Sequence, residues 1–259
     1  MLFGVSVAAQ EPWYLQNGGA YDAPTQTSPN PPPSQDYALC RLVFGRDRYE
    51  AAGQGWRTDY PMASRNLQIR FGEMTTTKMA TEKNGAPAPR LVQSKDIDHC
   101  PMLLGSDMGT MALNDEQVAH LRAYLLKGGF LWSDDTWGTL SWEQLEREFG
   151  KIFPEYRIIL VPPEHEIYRT YYWIEGGTLQ MPNNGHWRSK KNTSERGEDS
   201  PHSVTGAIYD DDGRMMVFIT HNTDIGDSWE READPMFFET FSLGGYALGI
   251  NVLLYALTH

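Results

Sequence analysis

Polar side chains follow three short apolar stretches of the sequence, at the point where each would end as a buried strand. Residues 106–107 follow PMLLG, residues 133–138 follow FLW, and residues 221–224 follow MMVFIT. The carboxyl ends of parallel strands meet at one edge of a sheet, where ligands bind in open α/β folds, so we expect these side chains to lie together. Paired carboxylates there can hold a hard cation or share a proton in acid–base chemistry, and an imidazole can serve as a ligand or a base.

The sharpest of these groups is the pair Asp134 and Asp135, which is joined by His221 at the neighbouring strand end. If the protein is an enzyme, these three residues are the predicted catalytic set, with a carboxylate that activates water. The alternative is structural: one aspartate caps the following turn while the other is solvated, and the histidine is a hydrogen-bonded residue at the end of a buried strand. A divalent cation is the cofactor that such a group could hold.

A second polar cluster, GWRTDYP at residues 55–61, follows the first predicted strand and would line the same edge. Together with the strand ends it defines the predicted ligand-binding set. Its members are Trp56, Arg57, Asp59, Tyr60, Asp107, Trp137, Asn222 and Asp224. Two further charged runs have open interpretations: residues 193–200 could form a lid or a solvated loop, and residues 229–232 are typical of a surface helical turn with ordinary ion pairs.

The elements that must position these residues show alternating β and α patterns. Strands are predicted at residues 37–44, 101–105, 130–132, 157–161 and 215–220. Helices are predicted at residues 63–74, from Asn114 to Gly128, from Ser141 to Gly150, and at residues 243–257. Asn114 with a glutamine three residues later is a capping box, and this strand–helix–strand unit implies parallel neighbours joined by a right-handed crossover. The fold class is therefore an α/β three-layer sandwich with a mainly parallel sheet.

Length and charge limit the alternatives. A chain of 259 residues, 40% hydrophobic, fits one large α/β domain, which we place at residues 36–259 with an irregular insertion at about 162–203, where only residues 168–174 look like a strand. Its net charge of -12 disfavours generic nucleic-acid binding, and we predict no transmembrane segment in the mature chain. The sequence contains no G-x-x-x-x-G-K-[ST] phosphate loop, no G-x-S-x-G serine-hydrolase elbow, no H-E-x-x-H zinc-protease motif and no C-x-x-C pair.

The N-terminal region and the two cysteines bear on the compartment in which the protein functions. Residues 1–10 resemble the apolar part of a secretory signal without its charged start, and residues 11–35 form a proline-rich linker. This interpretation predicts export to a periplasm or cell envelope, with other envelope proteins as the expected partners; a short N-terminal strand is the alternative. Cys40 and Cys100 could form one disulfide, but their apolar settings favour buried free thiols.

Several stretches taken in order resemble a known bacterial family, domain of unknown function 4159, over about residues 36–259. They are GWRTDYP, LLKGGFLWSDDTWG, TSERGEDS, THNTDIGDSWERE and YALGINVLLYALTH. The resemblance implies a fold related to class I glutamine amidotransferases, with a flavodoxin-like sheet, and an exported or membrane-associated protein. Amidotransferases carry a cysteine nucleophile in the turn after a central strand. The matching turn here offers Ser133, Asp134 and Asp135, and Cys100 precedes its strand, which argues against glutamine hydrolysis.

Three functions remain open on these grounds. The first is a non-catalytic ligand-binding or assembly module with an acidic pocket at the carboxyl ends of the strands. The second is a metal-assisted or Asp/His-dependent hydrolase that acts on carbohydrate or cell-envelope material. The third is a structural subunit of an envelope complex, whose aromatic residues partly line an interface.

Overall fold

A seven-stranded, mostly parallel sheet flanked by helices forms the centre of the protein. The computed structural model describes Ser28 and residues 36–259; the predicted signal segment and most of the proline-rich linker lie outside the described residues. The strands of the sheet are β1 (Cys40–Leu42), β3 (Arg90–Val92), β4 (Leu103–Ser106), β6 (Leu131–Thr136), β7 (Ile159–Leu160), β8 (Val204–Tyr209) and β9 (Met215–His221). A separate antiparallel pair joins β2 (Gly45–Arg46) to β5 (Met111–Ala112).

The sheet order is β3-β1-β4-β6-β9-β8-β7, and its first five strands run parallel. Strands β8 and β7 extend the sheet in antiparallel fashion beyond β9. The predicted unit of strand, helix and strand is confirmed, because β4 and β6 are parallel neighbours joined by one helix. The carboxyl ends of β1, β4, β6 and β9 therefore open onto one edge.

Helices cover both faces of the sheet. They are α1 (Met62–Met74), α2 (Asp115–Leu126), α3 (Gly138–Ile152), α4 (Asn184–Lys190), α5 (Ile225–Glu230) and α6 (Leu243–Thr258), and α6 is preceded by a helical turn (Pro235–Phe237) and a π-helical turn (Phe238–Ser242). One core cluster contains side chains of α1, α5 and α6, and the other contains side chains of α2 and α3. Alternate residues of β6 feed the two clusters: Leu131 faces one, and Trp132 faces the other.

The start of one helix was predicted correctly from the local sequence, and the start of another was not. Asn114 caps α2 through a complete capping box with Gln117, as predicted. The predicted start of α3 at Ser141 is wrong, since that helix begins at Gly138 and ends at Ile152. The Ser141 hydroxyl is instead buried inside the first turns of the helix and donates a hydrogen bond to the Glu50 carboxylate, 2.5 Å away.

The region between β7 and β8 contains helical turns and α4, and the predicted strand at residues 168–174 is wrong. A 3-10 turn (Glu166–Arg169) lies there instead. The backbone N–H groups of Tyr171 and Tyr172 donate to the side-chain oxygen of Asn251 on α6, so these donors are satisfied without a strand partner. The predicted strand at 157–161 shrinks to the two residues of β7 at the sheet edge, and β8 was not predicted at all.

Cys40 and Cys100 form a disulfide, so the expectation of free thiols is wrong. Cys40 lies in β1 directly opposite Leu103 of β4, and Cys100 comes three residues before Leu103. The two Cα atoms are 6.0 Å apart, within the range that a disulfide bridges. The bond closes a loop that includes α1 and the GWRTDYP segment.

One helical stretch, Pro235–Thr258, is long and apolar enough by length and composition to cross a membrane. In this fold 56% of its most apolar window is buried, and side chains of α6 belong to the core beside α1. This packing is typical of the central helix of a folded domain. The absence of a membrane-spanning segment stays a prediction.

Candidate functional site

A cavity of about 110 Å³ opens at the carboxyl ends of the parallel strands. Its lining is mainly charged. The acidic lining residues are Glu50, Asp59, Asp107, Asp135, Glu195, Asp224 and Glu230, and the basic ones are Arg57, Arg196 and Arg231. Seven of the predicted site residues line this cavity together, as expected for side chains at the carboxyl edge of parallel strands: Arg57, Asp59, Tyr60, Asp107, Asp135, Trp137 and Asp224.

Left-handed backbone conformations aim three of these carboxylates into the cavity. Asp59, Asp107 and Asp135 have φ angles of 62°, 53° and 56°. Non-glycine residues enter this region seldom, and aspartate and asparagine do so most readily because their short side chains bond the local backbone. Each such residue costs on the order of 1–3 kcal/mol and persists where the surrounding fold fixes it, commonly at functional sites.

A bulge in β6 separates the roles of the two adjacent aspartates. The pairing of β6 with β9 shifts register between Ser133 and Thr136, which spans Asp134 and Asp135. The Asp135 carboxylate faces the cavity and accepts a hydrogen bond from the indole nitrogen of Trp137, 3.0 Å away.

Asp134 lies outside the cavity lining. Its carboxylate accepts hydrogen bonds from the Thr220 hydroxyl at 2.5 Å and from the Gly226 backbone nitrogen at 2.8 Å, which ties β6 to the first turn of α5. Burial raises the pKa of Asp134 to about 6, although these hydrogen bonds oppose the shift. Asp134 positions the neighbouring elements, while Asp135 is the member of the pair that a ligand can reach.

Asp59, Asp135 and Asp224 converge most closely. One carboxylate oxygen from each lies within 4.8 Å of the others, and their residues are 8%, 8% and 2% exposed. Burial raises the pKa of all three carboxyls well above the usual range, and repulsion from neighbouring carboxylates adds to it. We refer to these three residues as the aspartate triad.

A second group joins Asp59 to Asp227 and Glu230 of α5, with the same upper limit of 4.8 Å between oxygens. Asp227 is already well satisfied: it accepts hydrogen bonds from the backbone nitrogen of Asn184 and from Arg231, which is 3.2 Å away. Burial raises the pKa of Glu230 to about 7. Because Asp227 has its own counterion, the aspartate triad is the better candidate for an ion.

Arg41 lies beneath the triad in β1 and is 1% exposed. Its guanidinium donates hydrogen bonds to the carbonyl oxygens of Trp56 and Thr58, and so holds the segment that carries Asp59. Burial lowers its pKa, while the nearby carboxylates of Asp59 and Asp134 act in the opposite direction. This one buried guanidinium cannot neutralise the whole triad.

Glycine at position 226 lets Asp59 approach α5. A Cβ atom at Gly226 would lie 2.3 Å from the Oδ2 atom of Asp59 and 3.5 Å from a carboxylate oxygen of Asp224. Any larger residue would therefore push Asp59 away from the triad.

Three other predicted site residues lie outside the cavity lining and brace it. His221 contacts the Thr136 hydroxyl through Nδ1 at 3.0 Å and packs edge-on against Trp142; burial lowers its pKa to about 4, so its ring is neutral at pH 7. Asn222 accepts a hydrogen bond from the backbone nitrogen of Gly138 and so holds the start of α3. Trp56 is buried in the core beside the cavity.

Several residues that line the cavity were not among the predicted site residues. Glu195 and Arg196 belong to the run at 193–200, and Arg196 closes over the rim by bonding Glu50 at 3.2 Å and the carbonyl oxygen of Ala51 at 3.0 Å. The expectation of a surface turn at 229–232 is wrong for Trp229, which is fully buried. The three-residue spacing of Asp224, Asp227 and Glu230 was the available signal, since it places acids on one helical face.

The fold and the cavity define an α/β sandwich domain with an acidic site at the carboxyl edge of its parallel strands. The family model described as Domain of unknown function (DUF4159) matches residues 43–257. The chain therefore belongs to this family. A search of the curated proteins finds no match.

Proposed function

We propose that this protein is a non-catalytic, cation-dependent binding module, in which the aspartate triad holds one divalent cation and the cation helps to bind a ligand in the cavity. The observation that carries this proposal is the convergence of three buried carboxylate oxygens within 4.8 Å of one another. Oxygen ligands lie about 2.0–2.6 Å from Mg²⁺ or Ca²⁺, so ligand oxygens on one ion stand up to about 5 Å apart.

Charge balance supports a cation at this place. Asp59, Asp135 and Asp224 each lie in surroundings that disfavour the ionised form, and Arg41 supplies a single buried positive charge beside them. Buried charges are stable when they are paired or when they coordinate a metal. A divalent ion together with Arg41 would balance the three negative charges of the triad, whereas protons would do so in the absence of the ion.

The binding role, rather than amidotransferase chemistry, is favoured by the turn after β6. We propose that the fold is nevertheless related to the flavodoxin-like, amidotransferase-like class, because Asp135 adopts a left-handed conformation in the bulge near the carboxyl end of a central parallel strand that leads into α3. An amidotransferase needs a thiolate nucleophile there. Both cysteines of the chain are instead joined in the Cys40–Cys100 disulfide.

Export to a periplasm or cell envelope is part of the proposal, with other envelope proteins as partners. Two features support it: the apolar start of the chain and the disulfide, which persists in oxidising compartments and is rare in the cytosol.

Thermal unfolding of the full chain with EDTA and then with Mg²⁺, Ca²⁺, Mn²⁺ or Zn²⁺ tests the cation site. A cation at 100 times its dissociation constant should add about 2.7 kcal/mol to the free energy of unfolding, which raises the melting temperature by roughly 5–10 °C. The rise should be large near pH 8 and shrink toward pH 5, because the raised pKa values of the triad let protons compete with the ion as the pH falls.

The matched control is Asp212→Asn, which removes an exposed carboxylate from the turn between β8 and β9, at the end of β9 opposite the triad. It should respond to cations as the unaltered protein does. A melting temperature that no cation changes at pH 8, or a rise of equal size at pH 5, would contradict the proposed function.

One observation favours a second candidate function, metal-assisted hydrolysis. Asp107 is wholly buried in the cavity wall, and burial raises its pKa to about 7, near the operating pH that suits a general acid or base. With His221 outside the cavity, Asp107 would take the proton-transfer role while the cation activates water. Turnover of esters, amides or glycosides that disappears in Asp107→Asn would establish it, and inactivity of cation-loaded protein across all three classes would exclude those reactions.

A further inference from the structure

Among the three arginines that line the cavity, Arg57 differs in the bonding of its side chain. Its partly buried side chain lines the wall, yet it makes no hydrogen bond or ion pair within residues 36–259. The other two arginines of the lining are engaged: Arg196 bonds Glu50, and Arg231 bonds Asp227. A partly desolvated guanidinium that has no partner among the described residues, in a wall rich in carboxylates, indicates that it is directed to a group that residues 36–259 do not supply.

An independent observation points to the same space. Asp107 is 0% exposed and lines the cavity, and its Oδ1 atom has no hydrogen-bond partner among the described residues. Its other oxygen accepts a hydrogen bond from the backbone nitrogen of Gly55 at 2.6 Å, which fixes the carboxylate beside the loop that carries Arg57. Buried polar atoms almost always have a hydrogen-bond partner. We therefore expect Oδ1 of Asp107 to accept a hydrogen bond from a ligand, or from a water molecule that the ligand holds.

The size of the cavity limits what can enter it. A volume of about 110 Å³ corresponds to the space of roughly three or four waters, each about 30 Å³ in the liquid. That room accommodates an ion and a small polar group, and it excludes burial of a whole drug-sized molecule, which needs about 300 Å³ or more. The ligand therefore inserts a small head and leaves its remainder outside.

We propose that the cavity binds a small hydroxylated oxyanion head, of the phosphate or 2-hydroxycarboxylate type, whose anionic oxygens contact both the cation of the aspartate triad and the guanidinium of Arg57. A hydroxyl on the same head donates a hydrogen bond to Oδ1 of Asp107. This inference rests on the proposed function, because the carboxylates of the cavity repel an anion until a cation occupies the triad. Planar guanidinium groups match both phosphate and carboxylate oxygens.

Titration calorimetry on the full chain tests this inference, with inorganic phosphate and glycolate as probes, each with EDTA and with the cation that gives the largest thermal shift. We expect at least one probe to bind, and to bind only when the cation is present. Arg57→Gln should weaken that binding about 10- to 100-fold, the loss expected for a charge-assisted contact, while its cation-induced thermal shift stays unchanged. Arg157→Gln, at an exposed arginine outside the cavity lining, should bind the probe normally.

The outcomes separate the two claims. A normal cation shift with no binding of phosphate or glycolate, or with equal binding by the Arg57→Gln and unaltered proteins, would overturn the oxyanion inference and leave the cation site standing. If no cation raises the melting temperature of the unaltered protein, both the cation site and the oxyanion inference are overturned. Equal probe binding with EDTA and with the cation would also contradict the inference.

Discussion

Asp135→Asn will raise the melting temperature of the metal-free protein at pH 8 and abolish its response to divalent cations. Asparagine has the same shape, tolerates the left-handed conformation and keeps an oxygen for the Trp137 indole N–H, so the fold loses little. It removes one of three buried charges that repel one another within the triad. Relief of this charge repulsion should add about 0.5–2 kcal/mol to the free energy of unfolding, which raises the melting temperature by roughly 1–8 °C.

The pH dependence fixes the sign of this effect. The folded state raises the pKa of Asp135, so between the ordinary aspartate range and the raised value the native protein binds more protons than the unfolded chain, and stability is lost as the pH rises through that window. The gain from asparagine should therefore grow as the pH rises toward 8 and disappear below about pH 3, where the carboxyl is protonated in both states. Calorimetric melting in EDTA at the two pH values measures it.

The exposed-site variant Asp212→Asn serves as the control and should melt like the unaltered protein under all these conditions. A metal-free Asp135→Asn protein less stable than the unaltered one at pH 8 would show that the charge of Asp135 stabilises the fold. An Asp135→Asn protein that a cation still stabilises by several degrees would remove Asp135 from the site.

Cys40→Ala/Cys100→Ala will lower the free energy of unfolding by about 4 kcal/mol, the chain-entropy value for a loop of this size, since the bridged cysteines are 60 residues apart. For a domain of this length that loss corresponds to a melting temperature lower by roughly 8–16 °C. Because the closed loop carries Arg57 and Asp59, the cation affinity should fall as well.

Thermal unfolding and thiol titration together check the disulfide. The unaltered protein, denatured without reductant, should show no free thiol, and treatment with reductant should lower its melting temperature toward that of the double variant. Two titratable thiols in protein made in an oxidising compartment, or a change in stability below about 1 kcal/mol, would contradict a stabilising bridge.

Elements with strong local signals were predictable from the sequence. The capping box at Asn114 and the apolar runs around β4, β6 and β9 each depend on residues that are close in the chain, and the structure confirms them. The convergence of Asp59, Asp107, Asp135 and Asp224 followed from one physical rule, that parallel strands present their carboxyl ends to the same edge. Their role in binding stays a prediction.

The features that escaped prediction depend on distant partners. Nothing local distinguishes Asp134 from Asp135, because the bulge that separates them arises from the pairing of β6 with β9. The disulfide required knowledge that β1 lies beside β4, and residues 168–174 avoid a strand because Asn251 takes their backbone donors. Arg196 reaches the cavity from an insertion without periodicity, so no pattern could place it.

The most direct test of the cation site is anomalous diffraction from a crystal of the full chain soaked in Mn²⁺ near pH 8. We expect one strong peak about 2.0–2.6 Å from a carboxylate oxygen of each of Asp59, Asp135 and Asp224. Well-ordered triad carboxylates with no peak between them, or a peak found elsewhere alone, would contradict the central claim that this edge of the sheet is built around a divalent cation.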